Sequence, residues 1–487
     1  MGKEAIEGLE PKLLWEYFYG MTQVPRPSKK EGKIREWVKD FARQHNFDFN
    51  EDETGNIVIK VPATEGMEDA PTIVLQGHID MVCEKNNDKV HDFENDPLTI
   101  YRDGDWITAD GTTLGADNGI GVAAAMSIAT DPEVKHGPLE LLMTVDEETG
   151  MTGANGLQPG FITGKILLNL DSEEDGAFYV GCSGGVDTEG KFEVEFADAD
   201  KLAYTPFKIE ITGLKGGHSG LDIHRGRGNA IKLLGYLLAR LDDIDHKLVA
   251  IQGGSLRNAI PREAEAVLLI SNSKIDEVKE IISDFERNAK IEYLHKDSGL
   301  KVNFTETESA DKYIADEYAR TLVQTICALP HGVISMSADL EDLVETSTNL
   351  ATINIKDNFV TVGTSQRSSV DFAKDNIATS VASIFSLAGA EVIYGDGYPG
   401  WQPDMDSRVL KVGKEVYETK FGTIPEIKAI HAGLECGLLG AKFPGTEMIS
   451  FGPTIEGAHS PDERVNIPAV LKFYDLLKNM LVKLAEK

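Results

Sequence analysis

Cysteine is scarce in this chain. Cys83, Cys182, Cys327 and Cys436 lie far apart among 487 residues, with no CxxC pair. That excludes a dense disulfide framework and fits a reducing compartment. Basic residues are also in deficit, with 48 Lys and Arg against 80 Asp and Glu and a formal net charge of −32. Nucleic acid and anionic membrane surfaces both require clustered Lys and Arg, so neither is an expected partner. Long apolar runs are missing, since no stretch approaches the roughly 18 apolar residues of a membrane span. The opening residues, Met1-Gly2-Lys3-Glu4-Ala5-Ile6-Glu7, are acidic without an apolar core. No signal peptide is therefore expected, and the location expected is cytoplasmic. What is present is ordinary: 41% hydrophobic and 26% charged residues, a globular rather than a disordered balance. The length exceeds one ordinary hydrophobic core, so two or three domains are expected. The acidic excess either keeps the chain soluble or conceals a few carboxylates with a task.

Residues 1–185 alternate helical and extended patterns. A helical apolar period covers 13–44, residues 56–61 and 72–76 read as strands, the second a continuous apolar run, and 139–145 and 166–170 read as further buried strands. Residues 119–129 are small and apolar throughout, as in a tightly packed helix. From about Gly184 the texture changes. Alternating strands at 192–196 and 207–211 are followed by strands at 248–252, 264–270, 301–305, 351–355 and 359–364. Amphipathic helices fall at 229–241, 274–289, 312–328 and 372–387. After about Glu391 the first texture returns, with helices at 406–420 and 468–484 and a strand at 448–451. The expected fold is an α/β, mixed-sheet domain formed by 1–187 and 391–487, interrupted by an inserted α+β domain at 188–390.

Acidic residues and histidines gather where the buried strands end: Gly77-His78-Ile79-Asp80, Asp146-Glu147-Glu148 and Asp171. Ligands of open α/β sheets bind at such strand ends. Gly115-Ala116-Asp117-Asn118-Gly119 and Gly457-Ala458-His459-Ser460-Pro461 add two more clusters. His78 and Asp80 point the same way on a strand, so a carboxylate there suits a metal-binding imidazole that needs orienting. A surface His–Asp hydrogen bond is the ordinary alternative. Asp117 is either a turn residue or a carboxylate bridging two cations. Asp146, Glu147 and Glu148 would repel one another if buried without cations, yet acids also favour helix starts. His78, Asp117, Glu148, Asp171 and His459 together form a five-ligand set. Two imidazoles and three carboxylates suit zinc, manganese or cobalt better than magnesium or calcium.

Two other motifs fail on context. Asp171-Ser172-Glu173-Glu174-Asp175-Gly176 opens like a calcium loop, but Cys182 stands where a bidentate Glu is needed. Gly181-Cys182-Ser183-Gly184-Gly185 has the nucleophile-elbow spacing but runs into turn and strand rather than helix. In the inserted region, His218 lies in a Gly-rich loop, and Arg367 follows a strand with a fork suited to a carboxylate. Structural turn and surface arginine are their ordinary alternatives.

These residues resemble the co-catalytic metallopeptidases that include aminoacylase, glutamate carboxypeptidase and peptidase T, and within them the aminoacyl-histidine dipeptidases. The resemblance covers nearly the whole chain. It rests on Gln76-Gly77-His78-Ile79-Asp80, Thr113-Leu114-Gly115-Ala116-Asp117-Asn118-Gly119, Asp146-Glu147-Glu148-Thr149-Gly150, Asn169-Leu170-Asp171-Ser172-Glu173 and Gly457-Ala458-His459-Ser460-Pro461. It implies two divalent metal ions per chain, zinc first, with manganese or cobalt as alternatives. Asp117 would bridge them, His78 and Asp171 would complete one site, and Glu148 and His459 the other. Glu147 would be the general base, and Asp80 would orient His78. His218, Asn258, Arg367 and Glu435 would contact substrate, His218 at the scissile carbonyl, Arg367 at the free carboxylate and Glu435 at the α-amino group. The inserted domain would be a lid of the dimerisation type, with monomer or homodimer left open. The implied reaction is hydrolysis of Xaa-His dipeptides such as β-Ala-His. Tripeptide aminopeptidase and N-acyl amino acid deacylase are the alternatives in the same chemistry, and a non-catalytic acidic binding protein the alternative outside it.

Overall fold

The computed structural model describes residues 2–308 and 310–486. These divide into two compact units. The first comprises Met1–Gly181, Pro403–Ala429 and Leu434–Lys487, and the second Cys182–Gln402 with Ile430–Gly433.

In the first unit, Ile73–His78 is buried at every position, as a strand covered on both faces must be. It pairs in parallel with Leu139–Thr144 on one side and Ile166–Asn169 on the other. Glu447–Ser450 continues the sheet in parallel, while Ile57–Val61 joins Leu139–Thr144 antiparallel, so the sheet is mixed. Among the described residues its order runs Asp48–Glu51, Ile57–Val61, Leu139–Thr144, Ile73–His78, Ile166–Asn169, Glu447–Ser450, Ala177–Cys182 and Glu426–Ile430. The helix Ala116–Thr130 is buried along almost its whole length. Its small residues permit that approach, and a Cβ at Gly121 would collide with the Leu170 carbonyl. A second, smaller antiparallel sheet orders Ile455–Glu456, Arg464–Asn466, Trp106–Ala109 and Ile100–Asp103. It fixes the loop that carries His459.

The second unit is built on an antiparallel sheet. Val344–Lys356 lies at its middle, paired with His246–Gly253, Phe359–Ser368 and Gly332–Met336. Tyr204–Thr212 alternates buried and half-buried positions, the period-two signature of a sheet with one packed face. The helices Ala230–Ala239, Ile275–Glu292, Asp316–Ala328 and Asp371–Leu387 supply Leu234, Ile282, Ile326 and Phe385 to a core shared with Ile209, Ile251, Leu268 and Ile353 of the sheet.

Several sequence boundaries shift. The single helical period at 13–44 becomes two helices, Lys12–Thr22 and Gly32–Gln44, because Pro25 and Pro27 lie between them and cannot donate to a helical ladder. The helix expected from 312 begins at Asp316, since Lys312–Ile314 pairs with Phe196–Asp198 as a strand. The second unit starts at Cys182 rather than 188, because Gly184–Glu193 is one continuous strand of its sheet. It also extends beyond 390, since Glu391–Tyr394 pairs with that same strand. The short return at Ile430–Gly433 has no counterpart in the sequence expectation.

Candidate metal centre

The first unit assembles its acids and imidazoles at the ends of parallel strands. His78 is the last residue of its strand and is buried. Its Nε2 lies 3.1 Å from Asp117 Oδ1 and 3.3 Å from Asp171 Oδ1. His459 Nε2 lies 3.2 Å from Asp117 Oδ2 and 3.1 Å from Glu148 Oε2. The two oxygens of Asp117 thus face two different imidazoles, and the same Nε2 of each also meets one further carboxylate. Ligand atoms of His78, Asp117 and Glu148 all fall within 4.8 Å of one another.

Asp80 ties this group together from behind. Its Oδ1 is 3.4 Å from His78 Nδ1 and accepts the Glu147 N–H at 3.1 Å. Its Oδ2 accepts from the Ser28 hydroxyl at 2.8 Å and the Glu148 N–H at 3.3 Å. Burial opposes ionisation of Asp80, but His78 and these donors outweigh it and hold the carboxyl at about 2. A second acidic group, Glu31, Asp80 and Asp146, is close-packed but internally satisfied. Glu31 accepts from the Lys29 and Asp146 N–H groups, and Asp146 from the Thr149 and Thr152 hydroxyls.

The electrostatics of the centre call for positive charge. Burial, reinforced by Glu435, Glu148 and Asp117, pushes Glu147 up to about 8. Burial likewise raises Asp171 well above the carboxylate range. Hydrogen bonds from the His459 ring to the Asp117 and Glu148 carboxylates lift His459 to about 11. Burial alone would lower His78, but Asp171 and Asp117 override it and raise its pKa well above the ordinary value. Asp171 and the two imidazoles therefore hold protons more tightly than usual, while the same imidazoles keep Asp117 ionised between them, and a ligand set of this kind exchanges protons for metal. Asp171 Oδ1 is buried and makes no well-formed hydrogen bond beyond its 3.3 Å approach to His78 Nε2, which suits a ligand atom. The residues present fit two divalent cations.

Glu435 belongs to the same unit. It opens the helix Glu435–Lys442, and its Oε2 accepts from Gln76 Nε2 at 2.6 Å and Thr144 Oγ1 at 2.7 Å. Its Oε1 has no hydrogen-bond partner, and burial raises its pKa to about 7.

The second unit gathers a different set. His218 lies in the two-residue strand Gly217–His218, paired with Ala259–Ile260. Its Nδ1 accepts the Gly220 and Leu221 N–H groups at 3.2 and 3.1 Å, so the neutral ring carries its proton on Nε2. Burial, then the Arg367 charge, pulls its pKa down. Asn258 is held beside it, its carbonyl accepting the Ser219 N–H at 2.8 Å. Arg367 is buried, with Nη1 donating to Tyr398 at 2.8 Å and Nε without a partner. His431 shares this environment and was not singled out from the sequence. Its Nε2 is 2.7 Å from Ser347 Oγ, and burial followed by Arg367 and His218 lowers it to about 3. Its local signal, a lone histidine before Ala432-Gly433, is too weak to find without the fold.

Parallel strands ending in a cluster of imidazoles and carboxylates, on a chain interrupted by an α+β unit, define a co-catalytic metallopeptidase. The model of peptidase family M20/M25/M40 matches residues 74–483, and the chain belongs to this family. It is 42% identical over 483 residues, 99% of each chain, to the cytosol non-specific dipeptidase of Escherichia coli strain K12. The crystal structure of aminoacylhistidine dipeptidase from Vibrio alginolyticus superposes with a TM-score of 0.93 at 42% identity, covering 98% of this chain and 97% of that one. Aminopeptidase PepT from Bacillus cereus shares the fold at a TM-score of 0.58 and 16% identity, covering 98% of this chain and all of the other. The chain is a dipeptidase, a hydrolase acting on small peptides. No helix among the described residues is long and apolar enough to cross a membrane.

Proposed function

We propose that this dipeptidase cleaves Xaa-His dipeptides, including β-Ala-His, with two divalent cations, zinc before manganese or cobalt. The observation that carries the reading is Asp117, whose two oxygens face His78 and His459 separately. His78, Asp117 and Asp171 would hold one cation, and His459, Asp117 and Glu148 the other. When bound, the cations acidify water toward neutrality and offset negative charge on the substrate carbonyl.

The remaining work falls to the chain. Glu147 accepts a proton from the attacking water and returns it to the amine nitrogen as the C–N bond breaks. Without cations, burial and the neighbouring acids raise its carboxyl to about 8, and the positive charge of bound cations would lower it again and leave it ionised to accept that proton. Asp80 holds the His78 ring and, through the Glu147 and Glu148 N–H groups, the start of the helix that carries the base. The His218 Nε2–H is assigned to the carbonyl oxygen, where one well-aimed donor contributes on the order of 3 kcal/mol. Arg367, with Nε unengaged, is assigned to the substrate carboxylate, Asn258 to the peptide, and Glu435 Oε1 to the α-amino group. The second unit is read as a substrate-binding lid that also pairs chains into a homodimer, which sedimentation of the purified chain tests. A cytoplasmic location is inferred from the relative called a cytosol dipeptidase.

Breadth is the open part of this reading, because one 42% identical relative is called non-specific and the other aminoacylhistidine-directed. A panel of β-Ala-His, Gly-His, non-His dipeptides, tripeptides and N-acyl amino acids, each with zinc, manganese and cobalt, decides it. Xaa-His peptides should be hydrolysed with the highest kcat/KM. Comparable rates on non-His dipeptides would make the enzyme a broad dipeptidase, and preference for tripeptides or N-acyl substrates would overturn the assignment.

A further inference from the structure

We infer that Glu463 and Arg26, neither of which belongs to the ligand set, form a buried positioning pair for the Asp117 loop. Glu463 is 2% exposed, and its side chain accepts four consecutive backbone N–H groups. Oε2 takes those of Leu114 and Gly115 at 2.8 and 2.9 Å, and Oε1 those of Ala116 and Asp117 at 2.7 and 3.2 Å. Arg26, 1% exposed, holds the same loop by its carbonyl side. Its Nη2 donates to the Gly115 carbonyl at 2.5 Å, and its Nη1 to the Ile79 and Asp80 carbonyls at 3.2 and 2.8 Å. One guanidinium therefore spans the loop after His78 and the loop before Asp117.

The sequence leaves room for this fork. A Cβ at Gly119 would stand 2.9 Å from Arg26 Nη2, and one at Gly115, whose φ is +67°, would collide with it. Glu463 is itself anchored. Its carbonyl accepts the Thr108 hydroxyl at 2.7 Å, and the next residue, Arg464, pairs with Thr108 in the small sheet. His459 and Glu463 thus share one loop, which supplies an imidazole on one side of Asp117 and a cradle for its backbone on the other. Moving Asp117 relative to His78 or His459 would break charge-assisted hydrogen bonds in a buried setting, where unpaired groups are strongly unfavourable. Neither residue touches substrate; both act through Asp117.

This inference rests on the two-cation reading, and one experiment separates the two. Metal-depleted wild type, Glu463→Gln and Arg26→Lys are reloaded with zinc or manganese under chelator competition, with thermal melting and kcat recorded on the same samples. Wild type should bind two equivalents. Glu463→Gln turns an amide nitrogen toward the loop N–H groups, and Arg26→Lys keeps the charge but loses the fork. Each should weaken binding of both equivalents by about 10–100-fold, with kcat still reduced at saturating metal. Wild-type metal affinity in the folded variants, even with a lowered melting temperature, would overturn the positioning role. Should Glu463→Gln fail to fold, Arg26→Lys decides by the same criterion. A wild type that binds no metal would instead bring down the two-cation reading itself.

Discussion

Burial disfavours charge in both units, but at their polar clusters it acts on opposite kinds of group. In the first, burial raises acids: Glu147 to about 8, Glu173 and Glu435 each to about 7. In the second, burial lowers bases: His431 to about 3, His331 to about 4, and His218 below its ordinary value. The first arrangement keeps several of its acids protonated until cations replace those protons. The second keeps His218 and His431 neutral beside the buried Arg367, ready to donate N–H groups to an anion or a carbonyl oxygen. Strand direction accompanies the contrast. Parallel strands bring their carboxyl ends to one edge, where loops converge, whereas the antiparallel sheet scatters its polar residues along strands and turns.

The strongest attempt to break this division is Glu147→Gln. It should lower turnover about 10²–10⁴-fold while two metal equivalents remain bound, by metal analysis of the purified variant. Retained turnover would remove the base from the first unit. Arg367→Ala comes next, with a loss of kcat/KM of about 30- to 1,000-fold, from about 2–4 kcal/mol for truncating one side of a buried charge pair. The loss should fall mainly on KM, with metal content unchanged; stripped metal would show that the units do not divide the work in this way. The smallest effect concerns stability. His431 falls from the ordinary 6.5 to about 3, so the unfolded chain binds the extra proton between those values. The stability due to its neutral form is complete above about pH 6.5 and declines as pH falls toward 3, by up to about 1.4 kcal/mol per pH unit. Melting curves from pH 7 to pH 4 should therefore fall less steeply for His431→Phe than for wild type.

The same contrast explains what could be read from the residues alone. Ile73–His78 and Leu139–Thr144 are largely apolar and fully buried strands that end in or run straight into His78, Asp80 and the acids Asp146-Glu147-Glu148, a juxtaposition few solvated segments produce. The alternation of Tyr204–Thr212 was legible for the same reason, since period two survives wherever one face is packed. His431 was not, because its burial depends on a four-residue return that carries no periodicity. Glu463 and Arg26 were not either. Each works by gripping backbone, and a backbone N–H has no letter in the sequence.

The chain passes between units at 181/182, 402/403, 429/430 and 433/434. The second unit is therefore not a cassette. A gene exchange that replaced residues 182–402 as one block would leave Ile430–Gly433 behind, and His431 with it. The incoming sheet would then meet a foreign histidine opposite its own version of Ser347. A block of 182–433 would keep His431 with its sheet but carry Pro403–Ala429 of the first unit away with it, so no single pair of junctions exchanges one unit whole, and the short return acts as a lock on how this enzyme can be reshuffled.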